Sequence, residues 1–329
     1  MKLRGIDFGP CLDAPGTRGF FGRGYPFHRI PLVGGMIWNF SGSTFVAKTT
    51  TTTARVGNMP LRGSKYDFEP YHLFPKCIWS DMTRQIALNS VALSGPGAHV
   101  LFAQQKWQKR TEPFMLSWMP IGDENTWVRQ ANDFVDTWKE FTPSTSTTSK
   151  VGLQVNITCP STGADLAKLA EKVHILLDIL QVLNVPLMVK LNLLVDPAHA
   201  VKISEHHACD AICISNTIPF GELPEKVNWK ELFPIGSPLA RRHAAYGGGG
   251  LSGKPLLPLV VNWLERAFDA GLKKPVNAGG GILEANDVNF LVQRAMLRPG
   301  VDSVFIGSIA MLNPLGIRST IRCAHELLA

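Results

Sequence analysis

Short apolar β-runs in this chain end in polar or glycine-rich residues at a nearly constant spacing. Lys190 follows Cys159 after 31 residues, Asn216 follows Lys190 after 26, and Gly307 follows Gly280 after 27. One strand and one helix of a parallel β/α barrel together take roughly 30 residues. Because the C-terminal ends of all strands in such a barrel open on one face, the side chains at these positions are predicted to share a single pocket.

The same alternation of β-rich and helical runs extends over most of the chain and predicts an α/β protein, a (β/α)8 TIM barrel. Four segments have apolar residues at helical spacing: Ala164–Leu183, Pro255–Ala270, Glu284–Leu297 and Leu315–Leu328. The eight candidate strands are Pro10–Ala14, Thr44–Thr49, Phe114–Trp118, Val151–Ile157, Leu187–Leu191, Ala211–Ser215, Val276–Ala278 and Ser303–Ile306.

The length and composition predict one domain over residues 1–329 with long insertions. A chain of 329 residues that is 45% hydrophobic and 18% charged can bury one large core. Three segments exceed a minimal barrel, namely Arg55–Ser94, Thr142–Lys150 and Ile218–Ala245. Long segments of this kind usually shape a site or an interface.

Several classes of protein are disfavoured by composition. The apolar runs are too short for a membrane span and the N-terminal residues lack the apolar core of a signal peptide, so we expect a cytoplasmic protein. The six cysteines show no Cys-x-x-Cys spacing, which disfavours a metal site, an iron–sulfur cluster and a disulfide framework. The net charge of +7 is scattered, and no motif supports nucleic-acid binding. Two basic clusters, Lys106–Arg110 and Arg241–His243, are either solvated surface or an approach for a small anion.

Paired glycines late in the chain predict a phosphate site. Gly280-Gly281 follows the seventh candidate strand and Gly307-Ser308 the eighth, where barrels commonly bind phosphate through backbone N–H groups. Ordinary tight turns are the alternative, but Gly249-Gly250 adds a third glycine pair. Glycine at such positions allows the backbone to approach an anion closely.

Five motifs in order resemble the dihydroorotate dehydrogenase family, FMN-dependent barrels that oxidise dihydroorotate to orotate in pyrimidine biosynthesis. The resemblance covers nearly the whole length. The motifs are Phe45–Thr51 with Arg55–Arg62, Leu88–Gly97, Asn156-Ile-Thr-Cys159-Pro160-Ser161, Gly248–Pro255, and the two late glycine turns. The Asn-x-x-Cys-Pro pattern is similar to that of the family's soluble class, in which cysteine is the catalytic base.

The resemblance implies a chemical role for three residues. Cys159 would remove the proton from C5 of the substrate while hydride leaves C6 for N5 of FMN. Lys190 would stabilise the negative charge on the reduced flavin, and Lys48 would contact both flavin and substrate. From the residues alone, Cys159 could be a buried strand-end cysteine and each lysine could extend to solvent, but strand ends of barrels carry catalytic groups.

The resemblance also implies two sets of binding residues. A small anionic, pyrimidine-like substrate would be bound by Asn89, Asn156, Ser161, Asn216 and Thr217, although asparagine also caps turns. Ser161, Ser94 and Ala92 stand where the family has asparagine, asparagine and glycine. FMN would be held by Ala14, Gly16, Lys48, Asn156, Lys190, Gly249, Gly250, Gly280, Gly281, Gly307 and Ser308. No strand-one Gly-x-Gly-x-x-Gly turn is present, which favours FMN over FAD or NAD.

Two functions from different classes remain open. The first is the FMN-dependent dehydrogenase, and the second is a flavin-binding barrel with altered or lost catalysis that acts as a partner subunit or sensor. We expect a homodimer, with apolar surface supplied by Trp229 and Phe233 of Ile218–Ala245. Use of NAD as electron acceptor would require a separate electron-transfer subunit, whereas fumarate or a quinone could act directly.

Overall fold

Eight parallel strands form the wall of a nearly closed barrel, which confirms the predicted fold. The computed structural model describes residues 1–30, 34–142, 150–157 and 166–329. Each strand pairs with the next along the chain, and a parallel bridge between Leu12 and Thr44 joins the first to the second. The strands are β1 Cys11–Asp13, β2 Phe45–Val46, β3 Phe114–Trp118, β4 Val151–Asn156, β5 Leu187–Leu191, β6 Ala211–Ile214, β7 Val276–Gly279 and β8 Ser303–Ile306.

Six longer helices alternate with the strands. They are α1 Glu124–Phe141, α2 Leu166–Leu180, α3 Pro197–Glu205, α4 Leu256–Asp269, α5 Ala285–Arg294 and α6 Ile317–Leu328. Four of them, α2, α4, α5 and α6, confirm predicted helices, while α1 and α3 were not predicted. Shorter helices are Gly34–Ile37, Ala98–Phe102, Trp229–Leu232, Pro238–Arg242 and Ile309–Leu312, and one-turn 3-10 helices are Pro26–Arg29, Ser64–Tyr66, Gln181–Leu183, Ala244–Tyr246 and Pro314–Gly316.

Side chains alternate between the inside and the outside of the barrel. Leu12, Val46, Met115 and Phe305 belong to a buried cluster inside the wall. Their neighbours Phe45 and Phe114 belong to the larger core outside it, against the helices. The antiparallel hairpin Lys2–Leu3 with Ile6–Asp7 packs against the inner cluster, and Met1 Sδ contacts Ser303 Oγ at 3.4 Å. The hairpin therefore lies at the N-terminal end of the barrel, away from the predicted pocket.

The first insertion and the segment between β6 and α4 meet in a four-stranded antiparallel sheet, here called the roof sheet. Its order is Ile218–Pro219, Gly250–Gly253, Ile86–Asn89 and Ile78–Asp81. Two strands come from Arg55–Ser94, and Ile218–Pro219 follows directly from the C-terminal end of β6. The roof sheet therefore covers the C-terminal face of the barrel.

The prediction that Trp229 and Phe233 provide an exposed apolar surface is wrong. Phe233 is 6% exposed and packs against Trp79 at 5.6 Å and Phe220 at 5.4 Å between ring centroids. Trp229 is half-buried, lies 4.7 Å from Phe220, and donates from Nε1 to Glu222 O at 2.7 Å. These aromatic rings pack the second insertion onto the roof sheet. Because they are buried against other residues of the same chain, they offer no exposed apolar surface to a second protomer.

Candidate active site

Lys48 follows β2 and is enclosed by residues of the first loops and the first insertion. Its Nζ donates to Ser94 O at 2.7 Å and lies 4.9 Å from the centroid of the Phe20 ring. A Cβ added to Gly16 would lie 3.7 Å from Lys48 Cγ, so this predicted cofactor residue is a direct neighbour. Burial lowers the pKa of Lys48 to about 8, against the opposing influence of the Cys77 thiol.

Lys190, in β5, is the second buried ammonium. It is 4% exposed and lies 4.9 Å from the centroid of the Phe305 ring on β8. Burial lowers the pKa of Lys190, with Cys213 acting in the opposite direction. Across the described ranges, no carboxylate lies within 4 Å of the ammonium of Lys48 or of Lys190. Two buried cations without a carboxylate favour the binding of an anionic group.

Asn156 and Asn216, predicted to share the pocket, are in contact. Asn216 Nδ2 donates to Asn156 Oδ1 at 3.1 Å, and Asn216 Oδ1 accepts from Thr217 N at 2.9 Å. Asn156 Nδ2 makes a long contact of 3.5 Å with Thr49 Oγ1, which lies 2.9 Å from Ser117 Oγ. Thr49 and Ser117 were not predicted. Thr49 directly follows Lys48, and Ser117 points to the same face from the next strand. Their positions at the ends of neighbouring strands could have indicated them from the sequence.

The remaining predicted substrate residues lie beside the roof sheet. Asn89 ends the strand Ile86–Asn89 and is paired with Gly250. A Cβ on Gly250 would lie 2.2 Å from Thr217 Oγ1, so only glycine allows this strand to pass the Thr217 side chain. Gly249 has φ +77° and lies against Asn89. The glycine pair thus contacts predicted substrate residues, and its assignment to the cofactor stays a prediction.

The late glycine turns lie at the ends of β7 and β8, as predicted. Gly280 and Gly281 have φ +121° and +85°, a region of the backbone map that favours glycine. A Cβ on Gly281 would lie 2.7 Å from Leu257 N in the first turn of α4. Gly307 and Ser308 connect β8 to Ile309–Leu312, and a Cβ on Gly307 would lie 2.6 Å from Ala14 Cβ. The predicted cofactor residues of β1 and β8 are therefore neighbours.

Ser215 is a site residue that was not predicted. It follows β6, its Oγ is buried without a hydrogen-bond partner in the described part of the chain, and a Cβ on Gly280 would lie 3.0 Å from that oxygen. Buried hydroxyl groups are almost always paired. Ser215 begins the Ser215-Asn216-Thr217 motif, and its position at a strand end could have indicated it as a candidate site residue.

Comparison with protein families decides the identity of this barrel. A family model described as Dihydroorotate dehydrogenase matches residues 74–295, roughly two thirds of the chain. The chain belongs to the dihydroorotate dehydrogenase family. The match includes Asn89, Asn156, Lys190, Asn216 and Gly280, and membership indicates a dehydrogenase-type enzyme. A comparison with curated proteins finds no match.

Members of the family are flavoproteins that generally bind FMN, and the geometry fits such a group. The unpaired Ser215 hydroxyl beside the Gly280-Gly281 turn offers a donor for a ribityl or phosphate oxygen. Lys190 supplies a buried positive charge, Gly16 lies next to Lys48, and the missing side chain of Gly307 makes room for Ala14.

Two residues that differ from the family pattern, Ala92 and Ser94, have defined conformations and contacts in this structure. Ala92, in place of a family glycine, has φ +55°, so the chain keeps the left-handed turn at some conformational cost. Ser94, in place of asparagine, is fully buried, and its Oγ accepts from Met59 N at 2.9 Å and donates to Val91 O at 3.0 Å. Its hydroxyl therefore holds the loop, while its carbonyl orients Lys48.

Cys159 and Ser161, the predicted base and its neighbour, lie outside the described residues. Other thiols of the chain are poor candidates for a base. Burial raises the pKa of Cys209 and Cys213 to about 12, and it also raises the pKa of Cys11, Cys77 and Cys323. None of the described helices is both long and apolar enough to cross a membrane.

The glycine- and aromatic-rich segment Arg18–Tyr25, together with the residues up to Arg29, closes the site beside Lys48. Tyr25 Oη donates to Gly16 O at 2.6 Å. Ion pairs of Arg23 with Asp67 at 3.2 Å and of Arg29 with Glu69 tie this segment to the first insertion. Asp67 also pairs with Lys106, and Glu69 also pairs with Arg62 of the same insertion at 3.4 Å. A narrow cavity between the two segments includes Phe20, Lys48 and Phe68 among its lining residues. The segment thus shields Lys48 from water.

Proposed function

We propose that this protein is an FMN-dependent dehydrogenase that oxidises dihydroorotate, or a related dihydropyrimidine, to orotate or the matching product, within a single domain over residues 1–329. The observation that carries the proposal is the pair of buried ammonium groups of Lys48 and Lys190 on the C-terminal face of a family barrel. Neither has a carboxylate partner in the described part of the chain, so an anionic substrate and a cofactor that gains negative charge on reduction would complete their surroundings.

The cofactor would be held by three groups of residues. Gly280, Gly281 and Ser215 would receive its phosphate and ribityl oxygens, while Ala14, Gly16, Gly307 and Ser308 would lie along its other side. The chemistry that FMN would supply at this site is acceptance of a hydride from C6 of the substrate. Lys190 would provide the positive charge that favours this transfer.

The substrate ring would be bound by amide and hydroxyl groups. Asn156, Asn216 and Thr217 already form a connected row, and in the roof sheet Asn89 pairs with Gly250, which lies against Thr217. Their mixed donors and acceptors suit a planar ring that carries amides. Lys48 would bind the carboxylate, because its ammonium is positioned by Ser94 O and Phe20.

Cys159 would act as the base. Its thiolate would take the C5 proton while the C6 hydride leaves, so the substrate loses one proton and one hydride and gains a double bond. The electron acceptor that reoxidises the cofactor would be fumarate, a quinone, or an NAD-linked electron-transfer subunit.

A second candidate is a flavin-binding barrel with altered or lost catalysis. It is favoured by Ser94, whose hydroxyl is engaged with Met59 and Val91 where the family has a substrate-binding asparagine. Such a protein would bind FMN without oxidising dihydroorotate.

Reconstitution and rapid mixing test both candidates. The protein saturated with FMN should show a flavin absorbance band, and dihydroorotate should bleach it. Cys159→Ala should retain the band and reduce the bleaching rate by about 10²–10⁴-fold, the contribution of a positioned base. Cys159→Ser should keep partial activity that rises with pH.

Cys323→Ala, on helix α6 away from the site, is the control and should behave as wild type. Absence of a flavin band after reconstitution contradicts both candidates. A stable band that dihydroorotate never bleaches supports the second candidate, and a wild-type rate in Cys159→Ala shows that the base lies elsewhere.

A further inference from the structure

The outer wall of the barrel beside β1 and β2 carries an open cleft of about 750 Å³. The segment between these strands contains the one-turn helix Pro26–Arg29 and the short helix Gly34–Ile37 in its described part, so no long helix covers the wall there. The cleft is separated from Lys48 by Arg18–Tyr25, part of which lines both spaces. The cleft is lined by Arg18, Trp38, Phe40, Phe45 and Arg110, among other residues.

Arg110 is the central group of this cleft. Its guanidinium lies 4.5 Å from the Phe45 ring centroid and 5.3 Å from that of Phe114. Nη1 makes a long contact of 3.4 Å with Phe21 O, and Nε is buried without a partner. In the described chain no carboxylate lies within 4 Å of Arg110. Its charge is therefore fixed on an aromatic wall without an ion pair.

Arg18 adds a second guanidinium on the same wall. It lies 5.5 Å from the centroid of the Phe45 ring, the ring that Arg110 also covers, and 5.3 Å from that of Phe40. Arg18 Nε pairs with Asp13 Oδ2 at 2.5 Å, and Asp13 also accepts from Ser43 Oγ at 2.7 Å. The buried Asp13 carboxylate thus pairs with Arg18, and it also acts from a longer distance on Arg110, whose pKa is lowered by burial and by Arg18 and raised by Asp13. The acidic residues among those that line the cleft, Asp7 and Glu112, are exposed to solvent, and Glu112 also acts to raise the pKa of Arg110.

From this geometry we propose a second ligand site, outside the flavin site, for a small organic anion whose carboxylate or phosphate pairs with Arg110. Guanidinium presents paired donors that match both oxyanions, and burial against aromatic rings strengthens such a pair. Trp38 and Phe40 give the cleft flat apolar surface, which suits a ligand with a planar or aromatic body.

The test uses the protein saturated with FMN, so that the phosphate turns are occupied. Isothermal titration at constant ionic strength would measure binding of two probes, inorganic phosphate and benzoate. Both should bind the wild type, and Arg110→Gln should weaken binding by roughly tenfold or more, as expected for loss of a charge-assisted pair. Tighter binding of benzoate would identify an aromatic carboxylate as the natural class, and tighter binding of phosphate a phosphate ester.

Arg129→Gln, an exposed arginine on α1, is the matched control and should leave binding unchanged. Arg110→Lys keeps the charge without the planar fork and should bind more weakly than wild type, which keeps the test decisive if Arg110→Gln fails to fold. The flavin spectrum should not change on binding. Wild-type affinity in the Arg110 variants, no binding of either probe to the wild type, or a flavin spectral change that follows occupancy would each overturn the proposal.

Discussion

Lys48 shows how far a single residue could be predicted from the sequence. Its place after an apolar strand predicted a site at the C-terminal face, and the structure places it there beside Gly16. The sequence did not predict its enclosure, because Phe20 and Ser94 come from distant segments. Ser215 was missed for a similar reason, since only burial shows that its hydroxyl is left without a partner in the described part of the chain.

The enclosure of Lys48 predicts a dependence of activity on pH. Its pKa of about 8 means that the ammonium loses its proton as pH rises above 8. The second-order rate of flavin reduction by dihydroorotate should therefore fall on the alkaline side, by about tenfold per pH unit once Lys48 is mostly neutral. Lys48→Arg should remove this fall, because arginine stays charged to above pH ~12.

Stopped-flow reduction over a pH series would measure the effect. Lys139→Arg, an exposed substitution on α1, is the control and should keep the alkaline fall. An unchanged alkaline limb in Lys48→Arg would assign it to another group.

At the scale of elements, the barrel strands were predictable and the roof sheet was not. Strands of a parallel barrel are buried on both faces, so they form apolar runs that stand out in the sequence. The roof strands are short, and Gly250–Gly253 contains two glycines, which are poor β-formers. Their pairing joins the first insertion to Gly250–Gly253, which is far away in the chain. Helix α1 was missed because its surface is largely polar, although Asp123 accepts from Thr126 N at 2.9 Å as an N-cap.

The ion pairs between Arg18–Arg29 and the first insertion should stabilise the fold. Glu69 is buried and contacts two arginines, so Glu69→Gln leaves two cations without their carboxylate. We expect a loss of about 1–3 kcal/mol in the free energy of unfolding, measured by denaturant titration.

Glu265→Gln is the matched control. Glu265 and Arg294 form an exposed pair at 3.8 Å, for which the loss should stay within about 0.5 kcal/mol. Equal losses in both variants would show that the network around Glu69 adds no more than a surface pair.

For the molecule as a whole, we still expect a homodimer, but we expect its interface to be formed by residues other than Trp229 and Phe233. Tyr71, Phe74 and Ile235 of the two insertions are 62%, 81% and 70% exposed. Light scattering at micromolar concentration should give about twice the 36.1 kDa of one chain, and Phe74→Glu should shift the mass towards the monomer. Leu315→Glu, at a 76% exposed position outside the insertions, should stay dimeric. A monomeric wild type would refute the expectation.

The roof sheet also sets an order in which the chain can assemble. Ser252 contacts Ala87 across a separation of 165 residues, so these strands meet only after a very large loop has closed. Loop-closure entropy delays such contacts, whereas β3, β4 and β5 pair with close neighbours in the chain. These three strands of the wall can therefore pair before the cover forms, and we expect the cover to open by local unfolding more readily than they do. Amide hydrogens of Leu88 and Leu251 should exchange with solvent sooner than that of Leu153, so that the face that opens first is the one where Lys48 and Lys190 lie.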